Sequence, residues 1–460
     1  MTALDAWIED EARFAAREMM RAISATDIVK NRPGFGQRVI PAPGSVLASP
    51  VPAAYDPDPD YFFHWHRDSA IVIDALRVAF AEGWLDGEAV VRFREFARFN
   101  QSLRNVDGRE FLARSKFRDI VQPSYLQYLR PDAEIAAVNG DALLADVRVN
   151  ADGTLDFTRW ARPQNDGPPL LALALMRWQR RPELNGDLRD SLNALIGADL
   201  EFTLSRANTP CFDIWEEENG FHYFTQLVQA EALARGVAWL TRLGDDSSAR
   251  TCAVAARAIA SRLDELWDAT AGHYRSRAGV ENGDPLKERD IAVVLATLCA
   301  RREAGPHSVL DPRSQATLAT LEDFFGAEYI INRGRDGPAM GRYPGDVYYS
   351  GGAWYVSTLA AAEFYYRLAA ALASGAELPA TPENLGFRRV LGGTPAGAAF
   401  ARGDAFMATV RAFTPPSGEL SEQFDRTTGA QTSAKRLAWS YAAFVTAAAS
   451  RGEACAAMRA

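Results

Sequence analysis

The chain reads as an all-α protein, an (α/α)6 barrel in which six helical hairpins close into a double ring. Three observations predict it. Twelve stretches carry apolar residues at helical spacing. Alternating strand patterns are almost missing between them. The stretches come largely in pairs, with the longer loops gathered at one end. An open helical solenoid is the runner-up. A closed barrel would collect its long loops at one rim and bring sequence-distant residues together.

In chain order, Leu4, Trp7, Ile8, Ala12, Ala15, Met19 and Ile23 keep one apolar stripe through the first helix. Residues 31–60 turn rich in Pro and Gly and read as an extended loop. Helices are predicted at 67–83 and 87–104. Residues 105–166 read as irregular, with strand-like pieces between the turns at Asn139-Gly140-Asp141 and Asp152-Gly153. Helical patterns recur at 168–181, 188–206, 223–243, 247–268, 287–303, 313–327, 351–375, 398–411 and 433–450. No stretch reads as a flexible linker and no short repeat is visible, so residues 1–460 are expected to be a single domain.

Apolar residues make up 48% and charged residues 24% of the 460, the balance of a soluble globular protein. The net charge of −9 and the absence of a basic stripe argue against a nucleic-acid partner or an anionic membrane surface. No apolar run reaches membrane-spanning length. The first twenty residues carry Asp5, Glu9, Asp10 and Glu11 through an amphipathic pattern, which is not a signal peptide. A cytoplasmic location is therefore expected, secretion only if a leader has been removed. Cys211, Cys252, Cys299 and Cys455 are widely spaced and suggest neither a zinc site nor a disulfide framework.

The unusual residues concentrate in loops. Phe212-Asp213-Ile214-Trp215-Glu216-Glu217-Glu218-Asn219-Gly220 places three consecutive carboxylates behind a Trp. Adjacent acids repel, and one staying protonated is the cheapest relief. Asn219-Gly220 signals a turn that puts the acids on a loop. A solvated charge run at a helix start is the bland alternative. In Tyr61-Phe62-Phe63-His64-Trp65-His66-Arg67-Asp68, Trp65 can stack on a sugar ring while Arg67 and Asp68 grip its hydroxyls. A capped helix start with an aromatic core anchor fits these residues, taken alone, slightly better. His64 and His66 lack a third ligand, so no metal is expected. Trp160 to Pro168 is dense in donors and acceptors and includes Arg162. Gly341 to Asp346 supplies Arg342 and Asp346, with Tyr348, Tyr349 and Trp354 close behind. Glu422 lies in a polar loop before the last helix, which carries Trp439.

Cleaving a glycosidic bond with inversion needs a carboxylic acid and a carboxylate roughly 6.5–9.5 Å apart, which two different loops supply naturally. The acid suits Glu216, with Trp215 and Glu217 beside it, and the base suits Glu422 between Ser421 and Gln423. Trp65, Trp160, Trp215 and Trp354 offer flat faces, and Arg67, Asp68, Arg162, Arg342 and Asp346 offer charged hydrogen bonds. Each Trp could equally be core.

These segments resemble the glucoamylases, glycoside hydrolase family fifteen. The matching motifs are Tyr-Phe-x-x-Trp-x-Arg-Asp at 61–68, Arg-Pro-Gln-x-Asp-Gly-Pro at 162–168, Asp-x-Trp-Glu-Glu-x-Asn-Gly at 213–220, Gly-Arg-Tyr-Pro-x-Asp at 341–346 and Ser-Glu-Gln-x-Asp at 421–425, with Leu437-Ala438-Trp439-Ser440-Tyr441-Ala442 closing the set in the family's order. The resemblance implies an (α/α)6 barrel that releases β-glucose from the non-reducing ends of α-1,4-glucans and maltooligosaccharides, with no metal or organic cofactor. By position Glu216 matches the general acid and Glu422 the general base. Arg67, Asp68 and Arg342 match the residues holding the terminal glucose, Trp160 a site-lining tryptophan and Glu217 a neighbouring contact, with Tyr61 near the base and its water. Gly345, His66 and Asn165 depart from the family pattern and bear on linkage preference. A same-fold hydrolase preferring α-1,6 or α,α-1,1 linkages is the nearest alternative, and an inactive sugar-binding protein the alternative of another class. No separate starch-binding module is expected.

Overall fold

Helices buried on one face alternate along the chain with helices buried all round. The structure, a computed structural model, describes residues 2–54, 57–184, 186–391 and 394–460. Its long helices are α1 (Ala3–Arg21), α2 (His66–Ala81), α3 (Glu88–Leu103), α4 (Gly167–Trp178), α5 (Gly186–Arg206), α6 (Tyr223–Arg242), α7 (Asp246–Asp264), α8 (Ala292–Ala300), α9 (Pro312–Glu328), α10 (Tyr355–Ala373), α11 (Pro395–Phe413) and α12 (Ala438–Arg459). Each falls on one of the twelve predicted stretches.

The even-numbered helices are the buried ones. Every residue is buried from Gly167 to Leu175 in α4, from Tyr223 to Leu233 in α6 and from Tyr355 to Tyr366 in α10. A helix apolar on all sides must be surrounded by protein. The odd-numbered helices bury one stripe; in α7 it is Ala249, Cys252, Ala256, Ile259 and Leu263, three to four residues apart. Around the inner ring α2 packs on α4, α4 on α6, α6 on α8, α8 on α10, α10 on α12, and α12 returns to α2. Outside it, α3, α5, α7, α9 and α11 pack on the inner helices that precede them, and α1 packs on α12. The result is a closed (α/α)6 barrel. Phe93 of α3 stacks on Trp178 of α4 at 4.1 Å, and the Trp178 indole donates to the Ile73 carbonyl at 2.8 Å, so outer helix and inner pair interlock.

Several predicted boundaries move, each for a local reason. The 287–303 stretch is a short 3-10 turn, Pro285–Glu288, and then α8, whose first turn is capped by Asp290 accepting from Ala292 N at 2.7 Å. The stretches at 351 and 433 begin outside the helix, because Ala353–Trp354, Gln423–Phe424 and Gln431–Thr432 pair into a small antiparallel sheet first. The 247–268 stretch ends at Asp264, and Trp267–Asp268 pairs with His273–Tyr274. Residues 105–166, expected to be irregular, hold four short helices over a satellite core that includes Phe99, Phe117, Ile135 and Phe157. The 31–60 loop contains the hairpin Lys30–Arg32 with Gln37–Val39; its Tyr55 and Asp56 lie outside the described residues. A helix at Leu385–Leu391 was not expected. Among the described residues no helix is long and apolar enough to cross a membrane.

On α1, Glu11 is buried and its Oε1 has no hydrogen-bond partner among the described residues; burial pushes its carboxyl up to about 8. The folded pKa exceeds the unfolded one, so folding is favoured most below the unfolded value and loses that contribution as pH rises through 8. Glu11→Gln is expected to raise the melting temperature by about 2–4 °C at pH 8.5 and by under about 1 °C at pH 5, read by thermal denaturation at the two pH values.

Candidate active site

Residues at the start of α2, and in the loops that lead into α4, α6, α10 and α12, line one cavity of 400 Å³. Trp65 immediately precedes α2 and Trp354 precedes α10. Asp290 caps α8, and Leu437 precedes α12. Converging helix N-termini carry partial positive charge, which suits a wall rich in carboxylates. Gly167, the first residue of α4, makes one of these approaches possible. A Cβ there would stand 2.7 Å from the His66 Cβ and 3.3 Å from the backbone carbon.

Arg67, in the first turn of α2, is the hub of one side. Its guanidinium donates to Gln164 Oε1 at 2.8 Å, to Asp166 Oδ2 at 3.3 Å and to Glu216 Oε1 at 3.1 Å, and its Nε lies 3.5 Å from Asp68 Oδ2. Glu216 also accepts from the Trp65 indole at 2.8 Å and from the Trp160 indole. Burial pushes Asp68 up to about 6 against the pull of Arg67. Asp68 Oδ2 and the Trp354 indole N–H are buried with no hydrogen-bond partner among the described residues. Buried polar atoms seldom stay single, and these two lie on the cavity wall, one acceptor and one donor open to a ligand.

The carboxylate run is built differently from the sequence expectation. The chain turns at Ile214 to Glu216, while Asn219-Gly220 lies in a strand, with Gly220 paired to Cys211. Gly220 is needed because a Cβ would sit 2.5 Å from Val280 Cγ2. Glu216 adopts φ of 67°, a conformation unusual for a residue with a side chain and often found at functional sites. The Asp213 carboxylate holds the turn by accepting from Glu217 N at 2.7 Å and Glu218 N at 3.0 Å. Each of the three acids faces a cation. Glu216 has Arg67, Glu217 has Lys287 at 2.5 Å and Arg342 at 2.9 Å, and Glu218 has Arg277 at 2.8 Å.

Glu422 faces the cavity from the loop before α12, across the ring from Glu216, whose loop precedes α6. Its backbone is fixed by Ala434 O and Tyr355 N. Its Oε2 accepts from the Ser433 hydroxyl, and Tyr61, bonded to Tyr348 through their hydroxyls at 2.8 Å, stands beside it. Burial pushes Glu422 up to about 7; Ser433, Arg342 and Tyr61 pull the other way.

Eleven of the thirteen expected site residues line the cavity: Tyr61, Trp65, Arg67, Asp68, Trp160, Trp215, Glu216, Glu217, Arg342, Trp354 and Glu422. Two do not. Arg162 is committed to Asp146, to Asp156 at 3.0 Å and to the Thr158 carbonyl at 3.1 Å, a structural ion cluster behind the wall. Asp346 clamps Arg342 at 2.8 Å and 2.5 Å, positioning the guanidinium rather than facing the cavity. Tyr348 and Trp439 join the wall without having been assigned to it, although Trp439 stands in the closing motif and Tyr348 two residues beyond the one at 341–346. Trp215 is held by its indole donating to Asp290 at 2.8 Å and packs against Trp354 and Trp439. The three departures from the family pattern lie off the wall. His66 and Asn165 are packed behind it, and Gly345 has the left-handed φ of 81°. His64 accepts from Val46 N at 2.9 Å and packs on Phe99.

A family model described as glycosyl hydrolases family 15 matches residues 134–449. The chain is 29% identical over 464 residues to a probable glucoamylase of Schizosaccharomyces pombe, an alignment covering 97% of this chain and 91% of that protein. It is 30% identical over 468 residues to glucoamylase P of Amorphotheca resinae, covering 95% of this chain and 69% of that one. The solved structure of Hormoconis resinae glucoamylase matches with a TM-score of 0.80 at 28% identity, covering 97% of this chain and 74% of that chain.

Proposed function

The chain belongs to glycosyl hydrolases family 15 and is a glucoamylase-like glycoside hydrolase acting on glucans, and from that premise we propose that it releases β-D-glucose from the non-reducing ends of α-1,4-linked glucans and maltooligosaccharides with inversion. The observation that supports this best is the pair of carboxyl groups, Glu216 and Glu422, facing one cavity from loops on opposite sides of the ring. On this reading Glu216 gives its proton to the glycosidic oxygen as the bond to the anomeric carbon breaks. Glu422 takes a proton from the water that attacks the opposite face of that carbon. Asp68, Arg67, Arg342 and the Trp354 indole hold the terminal glucose, and Trp65, Trp160 and Trp215 supply flat apolar faces. Tyr61 and Tyr348 flank the water beside Glu422.

A general base works best when its pKa lies near the working pH, so the raised Glu422 suits that role. The same shift would suit a general acid, and this favours a second reading in which Glu216 and Glu422 exchange roles.

The test of the main reading is proton NMR of the anomeric signal of glucose released from maltotriose, with isomaltotriose and trehalose in parallel. β-Glucose appearing first from maltotriose, at the highest rate of the three substrates, is expected. α-Glucose appearing first would overturn inversion, and a preference for isomaltotriose or trehalose would overturn the linkage assignment.

A further inference from the structure

At the end of the barrel away from the catalytic cavity, the C-terminal ends of α2, α4, α6 and α8 surround a second cavity of 490 Å³, larger than the first. Seven arginines line it against a single acid, Glu303, in a protein whose net charge is −9. Four of the seven have partners. Arg77 and Arg177 share Asp74, at 2.9 Å and 2.5 Å, Arg181 pairs with Glu183 at 2.9 Å and Arg235 with Glu231 at 2.7 Å. Arg301 has Asp74, Glu363 and Glu453 near it, which favour its charged form. Arg180 and Arg242 have no hydrogen-bond or ion-pair partner for their side chains among the described residues.

Cations are expected at helix C-termini, where they offset the macrodipole, and Arg242 and Arg301 stand at such ends. That effect falls off within the last turn. Arg77 lies before the last turn of α2 and Arg235 two turns before the end of α6, so the dipole does not account for them. Positive charge is also crowded toward the barrel axis. Burial, with Arg301 and Arg177 nearby, draws the Arg367 guanidinium down to about 10 although Glu363 opposes it.

We propose that this cavity binds a small phosphate-bearing anion carrying more than one negative charge. Guanidinium groups suit phosphate because their planar forks donate two parallel hydrogen bonds to it. The volume lies within the range of small-molecule sites and exceeds the needs of a single ion. Arg177 and Arg301 also line the axial space of the barrel, which Trp439 borders toward the catalytic cavity. A ligand here would therefore contact side chains that reach into the barrel interior.

The test is isothermal titration of the intact protein, at constant ionic strength, with inorganic phosphate, pyrophosphate and glucose 6-phosphate, each repeated in the presence of maltose. The Arg180→Gln/Arg242→Gln double variant is titrated beside it, with its glucose release from maltotriose recorded as a check that the barrel is intact. Saturable binding of one phosphate compound per chain is expected, weakened at least about tenfold in the double variant and unchanged by maltose. The arm that binds tells a free phosphate from a sugar phosphate. No saturable binding in any arm overturns the proposal. So does binding of equal strength in the double variant, and so does displacement by maltose, which would place the ligand in the catalytic cavity. The readout is binding, so it stands or falls apart from the assignment of the catalytic pair.

Discussion

Glu216→Gln is expected to lower glucose release from maltotriose by about 10²–10⁴-fold while hydrolysis of α-D-glucosyl fluoride stays within about tenfold of the unaltered protein. The contrast follows from the chemistry of the leaving group. A sugar alkoxide departs only if a proton reaches it, whereas fluoride leaves unaided. The substitution keeps an oxygen able to accept from Trp65 or Trp160, so the wall retains its shape while the transferable proton is gone. Steady-state rates on the two substrates decide the matter. Equal losses on both would show that Glu216 does something other than protonate the leaving oxygen.

Glu422→Gln should behave in the opposite way, losing about 10²–10⁴-fold on maltotriose and on glucosyl fluoride alike, because both need an activated water. A base must be ionised to act. With its pKa raised by burial, Glu422 gains its proton as pH falls from about 7, so kcat/KM of the unaltered protein is expected to decline on the acid side at a pH above the ordinary glutamate range of about 4.3. If the exchanged assignment held, Glu422→Gln would spare glucosyl fluoride, and the Glu422 ionisation would govern the alkaline limb instead. The two variants on the two substrates therefore separate the readings without reference to linkage.

The helices were legible because each kind leaves its own mark on the sequence. Inner helices such as α4 are continuous apolar runs, and outer helices such as α7 carry a single stripe. The two-residue strands Ala353–Trp354 and Gln423–Phe424 are too short to show alternation, which is why two helices were predicted to start early. The membership of the cavity was also largely legible, since its residues stand in motifs. Their partners were not. The acids at 216, 217 and 218 were read with no partner in view, and their cations Arg67, Lys287 and Arg277 lie 149, 70 and 59 residues away, beyond any local pattern. Arg162 was read as a sugar-binding donor because it sits in a motif. Its true partners, Asp146 and Asp156, stand close by in the sequence and were the available signal.

Closure of the ring by α12 has a bearing on how the protein is made. Synthesis proceeds from the N-terminus, and the portion already made can begin to fold. When α10 has emerged, its buried run from Tyr355 to Tyr366 still lacks α12, the neighbour that covers it on one side. Glu422, Trp439 and the helix that returns to α2 all emerge after α10. A ribosome-bound barrel would thus display an open apolar seam and only one of the two opposed carboxyl groups. Cleavage competence and protection of the seam would arrive together, in the same late folding event.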